Sequence, residues 1–386
     1  MDKVLKTILF IIVFGTILSC SDKMDYRQVI QQEVIDLADL YMAVQPVTIT
    51  DFVADRSAGG IHDFYSEGDY WWPDPLNPEG AYIRRDGESN PDNFSEHRKA
   101  MIEFSKAVAS LTSAFLLNGD SRYVTAVENH IRAWFIDEET KMNPSLLYAQ
   151  AIKGVVTGRG IGIIDTIHLI EVAQSMVRLK ELGAISKDCL EGAERWFSDY
   201  LEWITTHEYG IAEMNAKNNH GTCWAVQAAA FAKLTGDKEV TEFCRKRFKA
   251  VFIPGQMDAD GSFPQELART KPYGYSLFNL DAMAILCHIL SEDGGDLWEY
   301  VTEDGKSMRK AIEFMLPYVQ DKNTWPYGKD VMYWDEWPVA QPAFLLGWAH
   351  FKDSRYYLAW KKYEHFPTNP EVIRNLPVRN PVIWLN

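Results

Sequence analysis

Apolar residues recur every three or four positions along most of this chain, which is the pattern of helices that each bury one face. Strand-like alternation of apolar and polar residues is scarce. We therefore expect an all-α protein. The spacing predicts helices over residues 25–42, 96–117, 121–135, 164–182, 187–206, 221–234, 238–252, 276–290, 306–318, 338–351 and 354–363.

Three similar junctions between predicted helices form a divergent internal repeat. Each has an apolar helix end followed by Gly119-Asp120, Gly236-Asp237 or Lys352-Asp353. A glycine in this place ends a helix and an aspartate caps the next one, so the repeating unit is a helical hairpin. Stacked hairpins form a solenoid or a closed (α/α) toroid, whereas a plain helical bundle would share the same caps.

Three long segments interrupt the helical pattern, at residues 63–93, 141–165 and 253–275. Long structured loops in a compact domain are usually functional. They favour the toroid, because loops at one end of a toroid build a cleft. No low-complexity linker divides residues 21–386, so we expect one domain there.

The N-terminus has the pattern of a secretory signal peptide over residues 1–19. Lys3 and Lys6 flank the start of an apolar run that is too short to span a bilayer and ends just before Cys20. The ending resembles a bacterial lipobox, in which Cys20 is lipidated; an ordinary signal peptide with a chance cysteine is the alternative. We expect an outer membrane lipoprotein of a Gram-negative bacterium, periplasmic or on the cell surface, that touches the membrane through its lipid anchor only.

Composition narrows the function further. The net charge is −15 without a visible basic stripe, which argues against nucleic acid as a partner. The 13 Trp, 18 Tyr and 19 Phe suit a protein that stacks aromatic rings on sugars as well as in its core. The histidines form no HxH or HExxH pattern, so the sequence predicts no metal site and no cofactor.

Asn219 and His220 form the first group of candidate catalytic residues. The C5 proton of a uronate becomes removable only when the neighbouring carboxylate is neutralised, and amide and imidazole donors can do this. His220 could instead be the base, because the pKa of histidine lies near neutral pH. Alternatively, Asn218 and Asn219 only cap the helix that follows.

Arg269, Tyr273 and Tyr275 form the second group. Arg269 supplies a permanent cation for a carboxylate. A phenol can protonate the leaving O4, and a phenolate whose pKa is lowered by Arg269 and His220 can take the C5 proton. Alternatively, Arg269 pairs with Glu266 and the tyrosines only pack.

Several motifs in the same order resemble the helical-toroid alginate lyases and their glucuronan lyase relatives, over roughly residues 60–350. The motifs are Tyr70-Trp71-Trp72-Pro73-Asp74-Pro75, Arg85-Asp86-Gly87, Tyr148-Ala149-Gln150-Ala151, Gly158-Arg159-Gly160, Asn219-His220 with Trp224, and Glu266-Leu267-Ala268-Arg269 with a tyrosine six residues on. The resemblance implies an (α/α) toroid that cleaves polyuronates without a redox cofactor.

The resemblance also implies roles for these residues. Asn219 and His220 neutralise the substrate carboxylate, Tyr275 is the acid and perhaps the base, and Arg269 assists. The segment between the arginine and the tyrosine is about one residue shorter than in the family, which keeps Tyr273 as a rival; Tyr275 is preferred because it immediately precedes the predicted helix 276–290. Predicted substrate contacts are Trp71, Trp72, Arg84, Arg85, Gln150, Arg159, Lys217 and Tyr273.

The resulting hypothesis is a polysaccharide lyase that acts on an acidic, β-1,4-linked polyuronate by metal-independent syn β-elimination and leaves a 4,5-unsaturated uronate. Glucuronan is narrowly preferred to mannuronate-rich alginate, and endo and exo action both stay open. One alternative is an α/α-toroid glycoside hydrolase that uses two carboxylates from among Asp260, Glu266, Asp335 and Glu336. The other is a non-catalytic glycan-binding lipoprotein of the cell surface.

Overall fold

The structure is a computed structural model that describes residues 24–291 and 295–385. The predicted signal peptide and Cys20 lie outside these residues. The described helices are α1 (Tyr26–Met42), α2 (Glu96–Asn118), α3 (Ser121–Phe135), α4 (Leu169–Glu181), α5 (Lys187–Thr206), α6 (Glu208–Met214), α7 (Asn219–Thr235), α8 (Lys238–Arg247), α9 (Ile253–Gln256), α10 (Pro264–Leu267), α11 (Pro272–Ser291), α12 (Met308–Gln320), α13 (Pro342–Phe351), α14 (Ser354–Lys361) and α15 (Pro370–Arg374).

The longer helices form an inner and an outer layer. The inner helices α2, α4, α7, α11 and α13 pack against one another in chain order and are buried over most of their length. The outer helices α1, α3, α5, α8, α12 and α14 bury one face on them. α2 is long and apolar enough to cross a membrane, but most of it is buried in the protein. The predicted all-α toroid is confirmed.

The junctions of the repeat have the expected geometry. Gly119 and Gly236 end α2 and α7 with φ of 77° and 78°, a conformation that glycine adopts without steric cost. The aspartates that follow cap α3 and α8 by accepting a hydrogen bond from a backbone N–H. Lys352 takes the same left-handed place after α13, with φ of 56°.

The helices differ from the predicted ones at several places. α11 begins at Pro272, so that Tyr275 lies inside this helix and not immediately before it. Residues 160–166 form a 3₁₀ helix, so that α4 begins only at Leu169. α8 ends at Arg247 and continues as a π-helical turn, Phe248–Phe252. The short helix α6 was not predicted, because seven residues give too few turns for a periodic pattern.

Four short strands connect the long loops. β1 (Tyr65–Glu67) pairs in parallel with β4 (Tyr148–Ala151), and β2 (Trp71–Trp72) pairs antiparallel with β3 (Ile83–Arg84). The pairing of β1 with β4 joins the loop 63–93 to the loop 141–165. Side chains of both loops thereby reach one cleft at the N-terminal ends of α7 and α11.

The C-terminal segment after α14 packs across the inner helices. Its final turn, Pro381–Ile383, lies against α2 and α4, and Gln174 of α4 donates to the Ile383 carbonyl (2.9 Å). α15 precedes this turn and brings Arg374 to the cleft. No helix or strand was predicted in this segment.

Candidate active site

The predicted catalytic residues meet in a cleft of about 360 Å³. Its wall combines the loop 63–93, the loop 141–165, the first turns of α7 and α11, and the end of α15. The residues that line it are Asp69, Tyr70, Trp71, Arg84, Gln150, Arg159, Ile161, Ile164, Ala216, Asn218, Asn219, His220, Arg269, Tyr275, Phe278, Arg374 and Asn375.

Asn219 is held in the first turn of α7 by the Glu266 carboxylate. Its backbone N–H donates to Glu266 Oε1 (2.7 Å) and its Nδ2 donates to Oε2 (2.6 Å). The side chain of Asn218, at the N-cap position, makes no capping hydrogen bond. Helix capping therefore does not account for the two asparagines, and the second Nδ2 hydrogen of Asn219 is left for a ligand.

His220 is held from behind by Glu213. His220 Nδ1 lies 2.6 Å from Glu213 Oε1, which leaves Nε2 as the ring nitrogen for the cleft. Burial lowers the pKa of His220, but the Glu213 and Glu266 carboxylates together raise it by more, so that the net pKa lies above its ordinary value. A histidine that retains its proton near neutral pH suits the neutralisation of a carboxylate.

Tyr275 is placed by two neighbours. Its hydroxyl shares a hydrogen bond of 2.6 Å with the Tyr70 hydroxyl, and Arg269 Nη2 lies 3.4 Å away on the same oxygen. The guanidinium of Arg269 also lies 4.5 Å from the centre of the Tyr275 ring. The cleft thus joins two phenols and a cation at one point.

The protonation state of Tyr275 differs from the expectation that Arg269 and His220 lower its pKa. Burial and the neighbouring Tyr70 raise the pKa well above its ordinary value, and the opposing effect of Arg269 does not offset them. The surroundings of Tyr275 therefore favour the neutral phenol.

Arg269 pairs with Asp86 and not with Glu266. Its Nη2 donates to Asp86 Oδ1 (2.9 Å) and its Nε donates to Oδ2 (3.2 Å). Burial raises the pKa of Asp86, but Arg269 and other donors lower it to about 2. Asp86 is thus an anion that fixes the guanidinium beside Tyr275.

Half of the predicted substrate contacts line the cleft. Trp71, Arg84, Gln150 and Arg159 do so. The Arg159 guanidinium lies 5.8 Å from the centre of the Trp71 ring, and its Nε donates to the Gln150 carbonyl (2.9 Å). Gln150 has a φ of 50°, a strained conformation that is often found at functional sites.

The other four predicted contacts do not line the cleft. Trp72 donates its Nε1 to the Glu88 carbonyl (2.9 Å), and Arg85 stacks on its ring. Lys217 is exposed beside the cleft. Tyr273 is fully buried; its hydroxyl donates to the Tyr318 carbonyl (3.1 Å) and its ring packs on Trp325. Of the two candidate tyrosines, only Tyr275 lines the cleft.

Other residues of the site were missed by sequence reasoning. Tyr70 begins the motif Tyr70-Trp71-Trp72-Pro73-Asp74-Pro75, yet nothing in the sequence paired it with Tyr275. Glu213 lies on the unpredicted helix α6, and Arg374 lies beyond every recognised motif. Arg374 donates to Asp69 (2.7 Å) and to Glu371 (2.8 Å), and Asp69 also binds Arg98 (2.6 Å). Only the tertiary fold brings these groups together.

The chain matches a model of a known protein family. The sequence model described as alginate lyase matches residues 48–325. The chain belongs to the alginate lyase family. It is therefore a polysaccharide lyase, and the catalytic tyrosine, histidine and asparagine predicted above lie within the matched residues.

Solved structures agree with this family. A crystal structure of an alginate lyase from Bacteroides ovatus is similar with 31% identity, 92% of this chain covered, 94% of that chain covered and a TM-score of 0.78. Alginate lyase A1-III from Sphingomonas species A1 shares the fold at 14% identity, with 92% and 95% covered and a TM-score of 0.56. A variant of that enzyme, at 13% identity and a TM-score of 0.57, was solved with a tetrasaccharide, with 92% and 94% covered. No curated protein matches the chain.

Proposed function

We propose that this lyase cleaves β-1,4-linked mannuronate or glucuronate polymers by syn β-elimination. One observation carries the proposal: the Tyr275 hydroxyl, held by Tyr70 and Arg269, lies in the same cleft as Asn219 and His220. In both polymers the C5 proton and the C4 oxygen leave from the same face of the sugar. A single tyrosine on that face can therefore remove the C5 proton and protonate the leaving C4 oxygen.

The first step is neutralisation of the uronate carboxylate. The free Nδ2 hydrogen of Asn219 and Nε2 of His220 are two groups of the cleft that suit this role. Removing the C5 proton pushes negative charge onto the carboxylate, and donors that are already oriented stabilise this charge best. Glu266 and Glu213 supply the orientation from behind.

The second step is proton transfer through Tyr275. The neutral phenol first loses its proton to bulk water through the half-buried Tyr70 hydroxyl at 2.6 Å, which accepts this proton and passes its own to the solvent. Arg269 stabilises the phenolate that remains. The phenolate takes the C5 proton, the C5–H electrons form the C4–C5 double bond, and the C4–O4 bond breaks. Tyr275 then donates the same proton to O4 and is a phenolate again.

The donors in the cleft support metal-independent chemistry. Asp69, which lines the cleft, is engaged by Arg98 and Arg374. Asp86 and Glu266, which contact cleft residues, are engaged by the nitrogens of Arg269 and Asn219. Within residues 24–291 and 295–385, the cluster with metal-ligand spacing is Asp296, Glu299 and His350, none of which lines this cleft. Hydrolysis is less well supported, because none of its four candidate carboxylates lines the cleft: Asp260, Glu266, Asp335 and Glu336.

The choice between the two polymers depends on C2, where mannuronate and glucuronate differ. The similar Bacteroides ovatus protein is named an alginate lyase, which supports mannuronate. The resemblance of residues 71–87 to the glucuronan lyase relatives supports glucuronan. Initial rates of double-bond formation on glucuronan and polymannuronate of matched length would rank the two. The absence of double-bond formation on both would contradict the proposed function.

We also propose that Cys20 carries a lipid anchor that holds the lyase at the outer membrane. The support is the apolar run that ends in Ile17-Leu18-Ser19-Cys20. Metabolic labelling with a radioactive fatty acid would mark the wild type and leave the Cys20→Ser variant unlabelled. Label on that variant would contradict the anchor.

A further inference from the structure

A buried carboxylate stands behind the histidine of the cleft. Glu213 Oε1 lies 2.6 Å from His220 Nδ1, and the Glu213 side chain is completely buried. Its other oxygen, Oε2, is also buried and has no hydrogen-bond partner among the described residues. A buried carboxylate is costly unless a cation compensates its charge. His220 is placed to supply that cation.

The local fold explains how Glu213 reaches His220. α6 ends at Met214 and α7 begins at Asn219, so the chain must reverse within four residues. A Cβ on Gly221 would lie 2.2 Å from the Ala216 carbonyl oxygen, so only glycine permits this close approach. The glycine after Asn219-His220 therefore serves the tight turn that places a carboxylate behind the imidazole.

The protonation state of the His220 ring decides what it offers to the cleft. With Nδ1–H bound to Glu213, a neutral ring presents the Nε2 lone pair, which is a base, whereas a protonated ring presents Nε2–H, which is a donor. The charged groups that face the ring are Glu213 on α6, Glu266 on α10 and Arg269 just after it. Burial lowers the pKa of His220, the two carboxylates raise it by more, and Arg269 lowers it.

We propose that Glu213 is a positioning residue that holds His220 as an imidazolium with Nε2–H turned to the substrate carboxylate. This rests on the proposed function, which gives His220 that partner in β-elimination. The arrangement excludes His220 as the base, because its Nε2 already carries a proton. The reaction is thereby restricted to proton removal by Tyr275, from the face that suits mannuronate and glucuronate.

The pH profile of the Glu213→Gln variant tests the proposal. Without the Glu213 carboxylate, the His220 imidazolium loses its proton at a lower pH. The alkaline limb of the kcat/KM pH profile should therefore move to lower pH by about one to three units. Glu208→Gln, on the exposed side of the same helix, is the matched control and should leave the profile unchanged. Glu213→Asp retains the charge and should restore most of the limb. An alkaline limb that does not move in Glu213→Gln would overturn the proposal.

A titration without substrate separates this proposal from the proposed function. Nuclear magnetic resonance of isotope-labelled histidine, assigned with His220→Asn, should give His220 a pKa above its ordinary value that falls in Glu213→Gln. If no polyuronate is cleaved, the proposed function fails. The titration still tests whether Glu213 raises the pKa of His220. A wild-type His220 that titrates below its ordinary value would overturn the proposal even if the variants did not fold.

Discussion

The Tyr275 hydroxyl is the atom on which the proposed reaction depends, and its neighbours set its protonation. Tyr70 and burial favour the neutral phenol, whereas Arg269 favours the phenolate. The Arg269 guanidinium donates two hydrogen bonds to the Asp86 carboxylate. Arg269 is therefore held beside the Tyr275 phenol before substrate binds. The site thus holds an acid that becomes a base only when its proton is passed on.

We expect Tyr275→Phe to abolish most turnover and to leave substrate binding largely intact. The hydroxyl transfers the proton, whereas the ring provides most of the contact. Loss of a general acid or base typically reduces the rate by about 10²–10⁴-fold, and by more where one group does both. The checks are kcat from double-bond formation and Kd from calorimetry.

Tyr273→Phe is the matched control, because that hydroxyl donates to the Tyr318 carbonyl inside the protein. It should cost some stability and retain kcat. If Tyr273→Phe is inactive while Tyr275→Phe is near wild type, the assignment of the catalytic tyrosine is wrong.

At the residue scale, the side chains that carry the proposed chemistry could be predicted from the sequence, but the side chains that orient them could not. Short motifs whose side chains indicate their chemistry contain Asn219, His220, Arg269 and Tyr275. Their partners Glu213, Asp86 and Tyr70 are acidic or phenolic residues of a common kind, and only the folded chain shows that they meet. The pKa of Tyr275 was misjudged for the same reason, since burial is a tertiary property.

At the scale of elements, the cleft is held together by an ionic network between the loop 63–93 and α15. Asp69 binds Arg98 and Arg374, and Glu371 binds Arg374 and Lys271. All five side chains are less than one-fifth exposed. The network fixes the loop that carries Tyr70 and Trp71, so it couples the stability of the fold to the geometry of the site.

We expect Arg374→Met to lower the free energy of unfolding by about 2–3 kcal/mol, because it leaves two buried carboxylates short of a charged donor. Chemical denaturation would measure the change. Arg355→Met is the control, since Arg355 pairs with Asp353 at the surface of α14 and should change stability little. Equal losses in the two variants would contradict a structural role for the network.

The pKa of Asp69 predicts how stability depends on pH. Burial raises this pKa, but Arg374 and Arg98 lower it to about 2. A depressed folded-state pKa stabilises the fold above the unfolded pKa of about 4, by roughly 2 kcal/mol, and this stabilisation is lost as pH falls towards 2. Acid unfolding of Asp69→Asn should show a shallower pH dependence than that of the wild type, and equal slopes would argue against the assignment.

The elements themselves were largely predictable. Long helices such as α2, α3 and α5 have the three-to-four spacing of one buried face. Gly119 at the end of α2 and Asp120 at the start of α3 are capping residues that the sequence shows. α6 and α15 were missed because five to seven residues hold less than two turns. The pairing of β1 with β4 was missed because three or four residues in parallel register have no local signal.

At the scale of the whole molecule, the toroid gathers loops from distant parts of the chain at one end of its inner helices. Residues 69 to 375 contribute to one cleft. The repeat and the loop lengths predicted this architecture, because a toroid requires hairpins and its cleft requires loops. The C-terminal packing was not predictable, since its contacts with α2 and α4 are made by ordinary apolar and polar residues.

Metal removal tests whether the proposed reaction needs a metal ion. Because nitrogen donors neutralise the carboxylate in the proposed reaction, we expect dialysis against EDTA to leave the rate of double-bond formation unchanged. A matched sample with added calcium is the control. Complete loss in EDTA that calcium restores would contradict the metal-independent mechanism.

The central claim is that one tyrosine removes the C5 proton and protonates the C4 oxygen from the same face of the sugar. Polymannuronate and polyguluronate test it most directly, because they differ in configuration at C5, so that the proton and the oxygen lie on opposite faces in guluronate. The measurement is the initial rate of double-bond formation on the two polymers, matched for length and concentration. We expect rapid reaction on polymannuronate and little on polyguluronate. A faster reaction on polyguluronate would contradict the syn mechanism and make His220 the base.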